Sequence, residues 1–86
     1  MTNDRFDTPI TVKFGPADTK IMLRTARDAS EFLLSSWPGK RSERHRAALQ
    51  ACHDAMSGEK PPIAARRAFL AAGREAGVLV KGSGGD

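Results

Sequence analysis

A chain of 86 residues has room for one small domain and not two. With 40% hydrophobic and 28% charged residues it has a globular balance, which excludes a disordered chain. A single cysteine, Cys52, excludes an intrachain disulfide, and no apolar run approaches the length of a membrane span.

The first stretch, "MTNDRFDTP", is polar and offers neither a signal peptide nor an apolar core segment, so the reducing cytoplasm is the expected setting. "ITVKF" at 10–14 alternates, with Ile10, Val12 and Phe14 on one side, and predicts a half-buried strand. "GPADT" at 15–19 is turn chemistry. "KIMLR" at 20–24 alternates again through Ile21 and Leu23. The two strands make a hairpin, which needs cover to be stable.

Helices are expected to supply that cover. Thr25 is the candidate N-cap of the first, with Asp28 placed as in a capping box, and Ala29, Phe32, Leu33 and Ser36 on one face. Pro38 stops that helix, and Pro38-Gly39 forms the centre of a type II turn. Ser42 is the next candidate cap. His45, Leu49, Cys52 and Met56 then recur at helical spacing, and Gly58 is a natural stop. Pro61 or Pro62 opens a third helix with an inner face of Ala65, Ala68, Phe69, Ala72 and Ala76, and Gly77 ends it. Ile63 and Leu70 add a second apolar stripe, and Gly73 between the faces invites close approach of another backbone. "VLV" at 78–80 fits a short third strand or a hydrophobic clasp, and "KGSGGD" at 81–86 a flexible tail. The expected fold is α+β: an N-terminal β-hairpin packed against three α-helices in a single domain, with an ordered core over about 6–80.

Three segments, "FDTPITV", "ASEFLLSSWPGKRSERHRAALQAC" and "ARRAFLAAGREAGVLV", resemble a small family catalogued as domain of unknown function 982, seen mainly in alphaproteobacteria. The resemblance covers roughly residues 6–80. Its most specific parts are the Trp-Pro-Gly-Lys turn with the helix after it and the Ala-Phe…Glu-Ala-Gly ending. It implies a hairpin followed by helices. It brings no activity, cofactor or site residue.

The charge is uneven. Residues 1–39 hold five bases and five acids, whereas 40–46 hold Lys40, Arg41, Arg44 and Arg46 against Glu43 alone. A helix beginning near Ser42 would carry Arg41, Arg44 and Arg46 in or near its first turn, an end that favours anions, at about 0.3–1 kcal/mol each if exposed and unpaired. One reading makes Trp37, Lys40, Arg41, Arg44 and Arg46 a weak grip for an anion or a nucleic-acid backbone, with Trp37 stacking on a base. The plainer reading plugs the core with Trp37 and lets Glu43, Asp28 or Glu31 neutralise the bases.

No metal or cofactor set is expected. His45 and His53 would lie about 12 Å apart along a helix, and no second cysteine or acidic cluster completes a zinc site. Cys52 is expected to be a buried packing residue. No serine has a nucleophile motif, and "GSGG" precedes no helix, so no enzyme is expected. The first functional expectation is a non-catalytic module for protein–protein contact, partner unspecified, with a homodimer through the third helix and Leu70 to offset the small core. Binding of anions through 37–46 is the alternative.

Overall fold

The computed structural model describes residues 4–38 and 40–80. Gly39, the second half of the expected turn, and the expected tail at 81–86 lie outside the described residues. Strand β1 (Arg5–Phe14) pairs antiparallel with β2 (Thr19–Thr25), and helices α1 (Ala26–Ser35), α2 (Glu43–Ser57) and α3 (Pro62–Ala76) follow. The hairpin and three helices are those the patterning predicts.

β1 begins earlier than its alternation suggests. Ile10 faces Leu23, and each following pair down to Phe14–Thr19 keeps that register. Arg5 faces Thr25, so five steps along β1 match two along β2. Pro9 lies in this irregularity, where a missing N–H costs no ladder bond. The bulge hides the strand's start from period-two reading. Phe6, in a stretch that reads as polar, is 5% exposed and belongs to the core.

Ile10, Val12 and Leu23 turn inward onto helices. They meet Ala29, Phe32 and Leu33 of α1, Ala48, Cys52 and Ala55 of α2, and Ala65, Phe69 and Ala72 of α3 in one cluster. The buried line of α2 runs His45–Ala48–Cys52–Ala55. Met56, expected on that face, is 36% exposed instead, because the helix rotates its small residues inward to let α3 approach.

α1 starts directly from β2. Thr25 Oγ1 accepts from the Asp28 N–H at 3.1 Å. The Asp28 carboxylate accepts from the Arg24 N–H at 3.2 Å, not from the N–H of the cap as a capping box requires. Asp4 completes this end: its carbonyl accepts from the Ala26 N–H at 2.9 Å and its carboxylate from the Arg27 N–H at 3.1 Å.

The segment after α3 acts as a clasp. Val78 is buried, its carbonyl accepts from the Lys13 N–H at 2.8 Å, and the Val80 N–H reaches the Thr11 carbonyl at 3.1 Å. Val12 and Leu79 form one isolated bridge. The sheet among the described residues has two strands, so the expected third strand reduces to this clasp.

Gly73 explains how the clasp closes. A Cβ there would lie 2.8 Å from Leu79 Cδ2 and 2.9 Å from Cγ. The close approach that a glycine in α3 invites is thus made by the chain's own Leu79. Leu70, expected on a surface between two copies, is 8% exposed and packs inside the protomer. Gly73→Ala should gain about 1 kcal/mol of helix propensity and lose about 1–3 kcal/mol to overpacking against Leu79. Its thermal midpoint should fall below wild type. In a Leu79→Ala background the same change should raise the midpoint, since the clash is gone. A rise in both backgrounds would remove Leu79 as the reason for the glycine.

Candidate functional site

α1 ends two residues before Trp37, and its last carbonyls lose their helical partners there. The Ser36 N–H returns to the Phe32 carbonyl at 3.0 Å. The next two carbonyls are met by side chains from further along. His45 Nε2 lies 2.8 Å from the Leu33 carbonyl, and Arg41 Nη2 lies 3.0 Å from that of Leu34. A carbonyl only accepts, so Nε2 carries the proton. An arginine is the right charge for a helix C-terminus. The wrong-sign charge at the start of α2 is therefore a right-sign charge at the end of α1.

Ser42 starts α2. Its Oγ accepts from the His45 N–H at 3.3 Å and donates to the Glu75 carboxylate. Glu75 comes from the last turn of α3, so the acid beside this helix start is neither Asp28 nor Glu31. Asp28 is occupied at the other end of α1, and Glu31 pairs with Arg27 at 3.5 Å. A resident carboxylate already sits where a bound anion would be drawn.

Trp37 is half-buried. Its ring meets Phe32 and Phe69 edge-on at 5.8 Å each and His45 at 5.3 Å. Phe14 extends the cluster through Phe32 at 6.0 Å. These centroid distances lie in the favourable range for edge-to-face aromatic pairs. Trp37 Nε1 and His45 Nδ1 are both buried without a partner among the described residues. They are complementary, because the indole N–H donates and Nδ1, with its proton on Nε2, accepts.

Lys40, Arg41, Arg44 and Arg46 are exposed. Lys40 borders a cleft of about 360 Å³ with Ser42, Glu75 and Ala76. Arg46 borders a different one with Leu49, Gln50 and His53. Trp37 turns inward to the aromatic cluster, while Arg41 reaches back to α1. Of the five residues proposed from sequence, Trp37 and Arg41 thus have local partners, and Lys40 and Arg46 border different clefts.

Cys52 is fully buried. Burial, with a smaller contribution from Asp4, pushes its thiol up to about 12, so it stays protonated at neutral pH. No group of three or more histidine, cysteine or acidic side chains among the described residues could hold a metal ion. No described helix is long and apolar enough to cross a membrane.

Glu75 and the two α1 carbonyls are the parts that sequence reasoning missed. A signal for Glu75 exists: an acid in the last turn of α3 opposes that helix's own dipole. The family model described as "Protein of unknown function (DUF982)" matches residues 8–80. No curated protein and no solved structure matches the chain.

Arg41 and Arg44 should separate in a stability assay. Arg41→Ala strips the Leu34 carbonyl of its partner and should cost about 0.5–1 kcal/mol, water replacing part of the bond. Arg44→Ala removes a base from the first turn of α2 and should be neutral or stabilise by about 0.3 kcal/mol. Thermal midpoints should rank Arg44→Ala at or above wild type and Arg41→Ala below it. The reverse order would mean that Arg41 is not a cap.

Proposed function

We propose that this chain, which belongs to the DUF982 family of proteins of unknown function, is a non-catalytic module that works through protein–protein contact. The carrying observation is the use made of its polar groups. Arg41, Ser42, His45 and Glu75 all bond within the chain, at helix ends. Large apolar side chains are left outside on every element after β1: Met22 on β2, Leu34 on α1, Met56 on α2 and Ile63 on α3. A cytoplasmic setting fits the lone unpaired thiol.

Self-association is part of this reading, because an 86-residue chain gains stability from added buried surface. Ile63, 45% exposed, takes the place in that contact that Leu70 cannot. The apparent mass by sedimentation should rise with concentration across the micromolar range, and Ile63→Asp should hold it at the monomer value. A constant monomer mass up to hundreds of micromolar would end the homodimer.

A second reading rests on one observation of its own. Among the described residues, Lys40, Arg44 and Arg46 form no ion pair. They remain open to an anion or to the phosphates of a nucleic acid. Such binding should be independent of sequence and fall steeply with salt. Single-stranded DNA at low salt, titrated into wild type and into Arg44→Ala/Arg46→Ala, measures it. Equal binding by both would remove these arginines as the grip.

A further inference from the structure

β2 has an open edge. Lys13 donates its N–H to Val78, and Thr11 receives the Val80 N–H, so both residues direct their backbone away from β2. Their partners across the ladder are Lys20 and Met22. In an antiparallel pair the backbone directions alternate, so Lys20 and Met22 direct theirs away from β1. Arg24, two residues on, confirms the parity: its N–H leaves the sheet and ends on Asp28. No described strand pairs with that side of β2.

The open edge runs beside a groove. A hollow of about 270 Å³ lies between β2 and α1, lined by Ile21, Met22 and Leu23 on one side and by Asp28, Glu31, Phe32, Ser35 and Ser36 on the other. An added strand would place alternate side chains in this hollow, over the Phe32 ring. Its other side chains would lie on the outward face of the hairpin, beside Lys20, Met22 and Arg24.

That outward face is unbalanced. Lys13 and Lys20 sit directly opposite each other. They form a non-hydrogen-bonded pair, in which side chains are closest and like charges repel. Neither lysine nor Arg24 is in an ion pair among the described residues. Asp7 shares a cleft with Arg24 without pairing with it. Met22, between the cations of β2, is 52% exposed.

We infer that the free edge of β2, with the groove against α1, is a docking site for an extended segment of a partner protein that alternates acidic and apolar side chains. The acidic row lies against Lys20 and Arg24, and the apolar row enters the groove over Phe32. Main-chain bonds to Lys20 and Met22 hold the strand, and the side chains select it. A second copy of β2 is the wrong occupant. It would bring its own Lys20 and Arg24 into the same outward row. Charged edges block self-pairing in this way, and here they leave an acidic strand acceptable. The site rests on the protein-contact reading and names the chemistry of the partner.

The test uses the full chain, labelled for amide NMR. The probe is a blocked seven-residue peptide alternating glutamate and valine, with a lysine–valine peptide as its counterpart. The acidic peptide should shift the Lys20 and Met22 amides and slow their hydrogen exchange at least tenfold at saturation. The basic peptide should do neither at the same concentration. Met22→Pro removes one outward N–H and no bond to β1, and should weaken binding at least tenfold. If that variant does not fold, the acidic peptide N-methylated on its bonding edge should show the same loss. Lys20→Glu with Arg24→Glu should invert the preference. Unmoved Lys20 and Met22 amides at millimolar peptide would overturn the site, as would changes confined to 40–46. A chain that self-associates yet ignores the peptides loses this site and keeps the protein-contact reading. One that does neither loses this site and the homodimer.

Discussion

Two backbone carbonyls at the end of α1 govern the middle of this molecule. Leu33 and Leu34 lie in the last turn of a helix that stops ahead of a proline, and their carbonyls have no partner within it. Leaving a buried carbonyl unpaired costs about 1–3 kcal/mol. His45 removes that cost at the buried Leu33 carbonyl, reaching back twelve residues, and Arg41 reaches back seven to the exposed carbonyl of Leu34. The same two residues stand at the start of α2, so the end of one helix fixes the position of the next. His45 serves both helices: its ring is buried, its Nε2 meets the α1 carbonyl, and its backbone N–H is capped by Ser42.

The aromatic cluster follows from this arrangement. Once α1 and α2 are fixed, the chain between them must cross the end of the core, and Trp37 falls into the gap among Phe32, Phe69 and His45. α3 closes the other side with Phe69 and delivers Glu75 to Ser42. Gly73 then admits Leu79, whose neighbours tie the chain end back to β1.

Local features were legible in the sequence, and distant ones were not. Thr25, Ser42, Gly58 and Gly77 mark helix ends by chemistry acting within a few residues, and all four do so in the structure. The inward rows of the hairpin were legible wherever the period of two held. Phe6 was lost because the bulge around Pro9 breaks that period. Leu70 was misplaced because the width of an apolar arc says how much surface a helix buries, not whether one chain or two bury it. The roles of Arg41 and Glu75 were illegible for another reason. Each sits at a helix end that its charge disfavours, and the benefit lies on a different helix. Two wrong-sign charges were visible in the sequence, but their partners come only with the fold.

The distinction between committed and uncommitted charge reorders the surface. The bases at 40–46 draw attention by their density, and part of that region is engaged within the fold: Arg41 at a helix C-terminus and Glu75 on the cap of α2. Lys13, Lys20 and Arg24 are scattered in sequence and net to nothing within the first 39 residues. The hairpin register gathers them on one face, with two lysines directly opposed. Opposed lysines on a solvated strand pair are a small penalty, about 0.2–1 kcal/mol. That small penalty lies beside a sheet edge with which no described strand pairs. Pairing across the sheet therefore gathers charge here that the sequence leaves dispersed. An evenly charged segment can fold into an unbalanced face, while a base in a dense basic run can serve the end of a neighbouring helix.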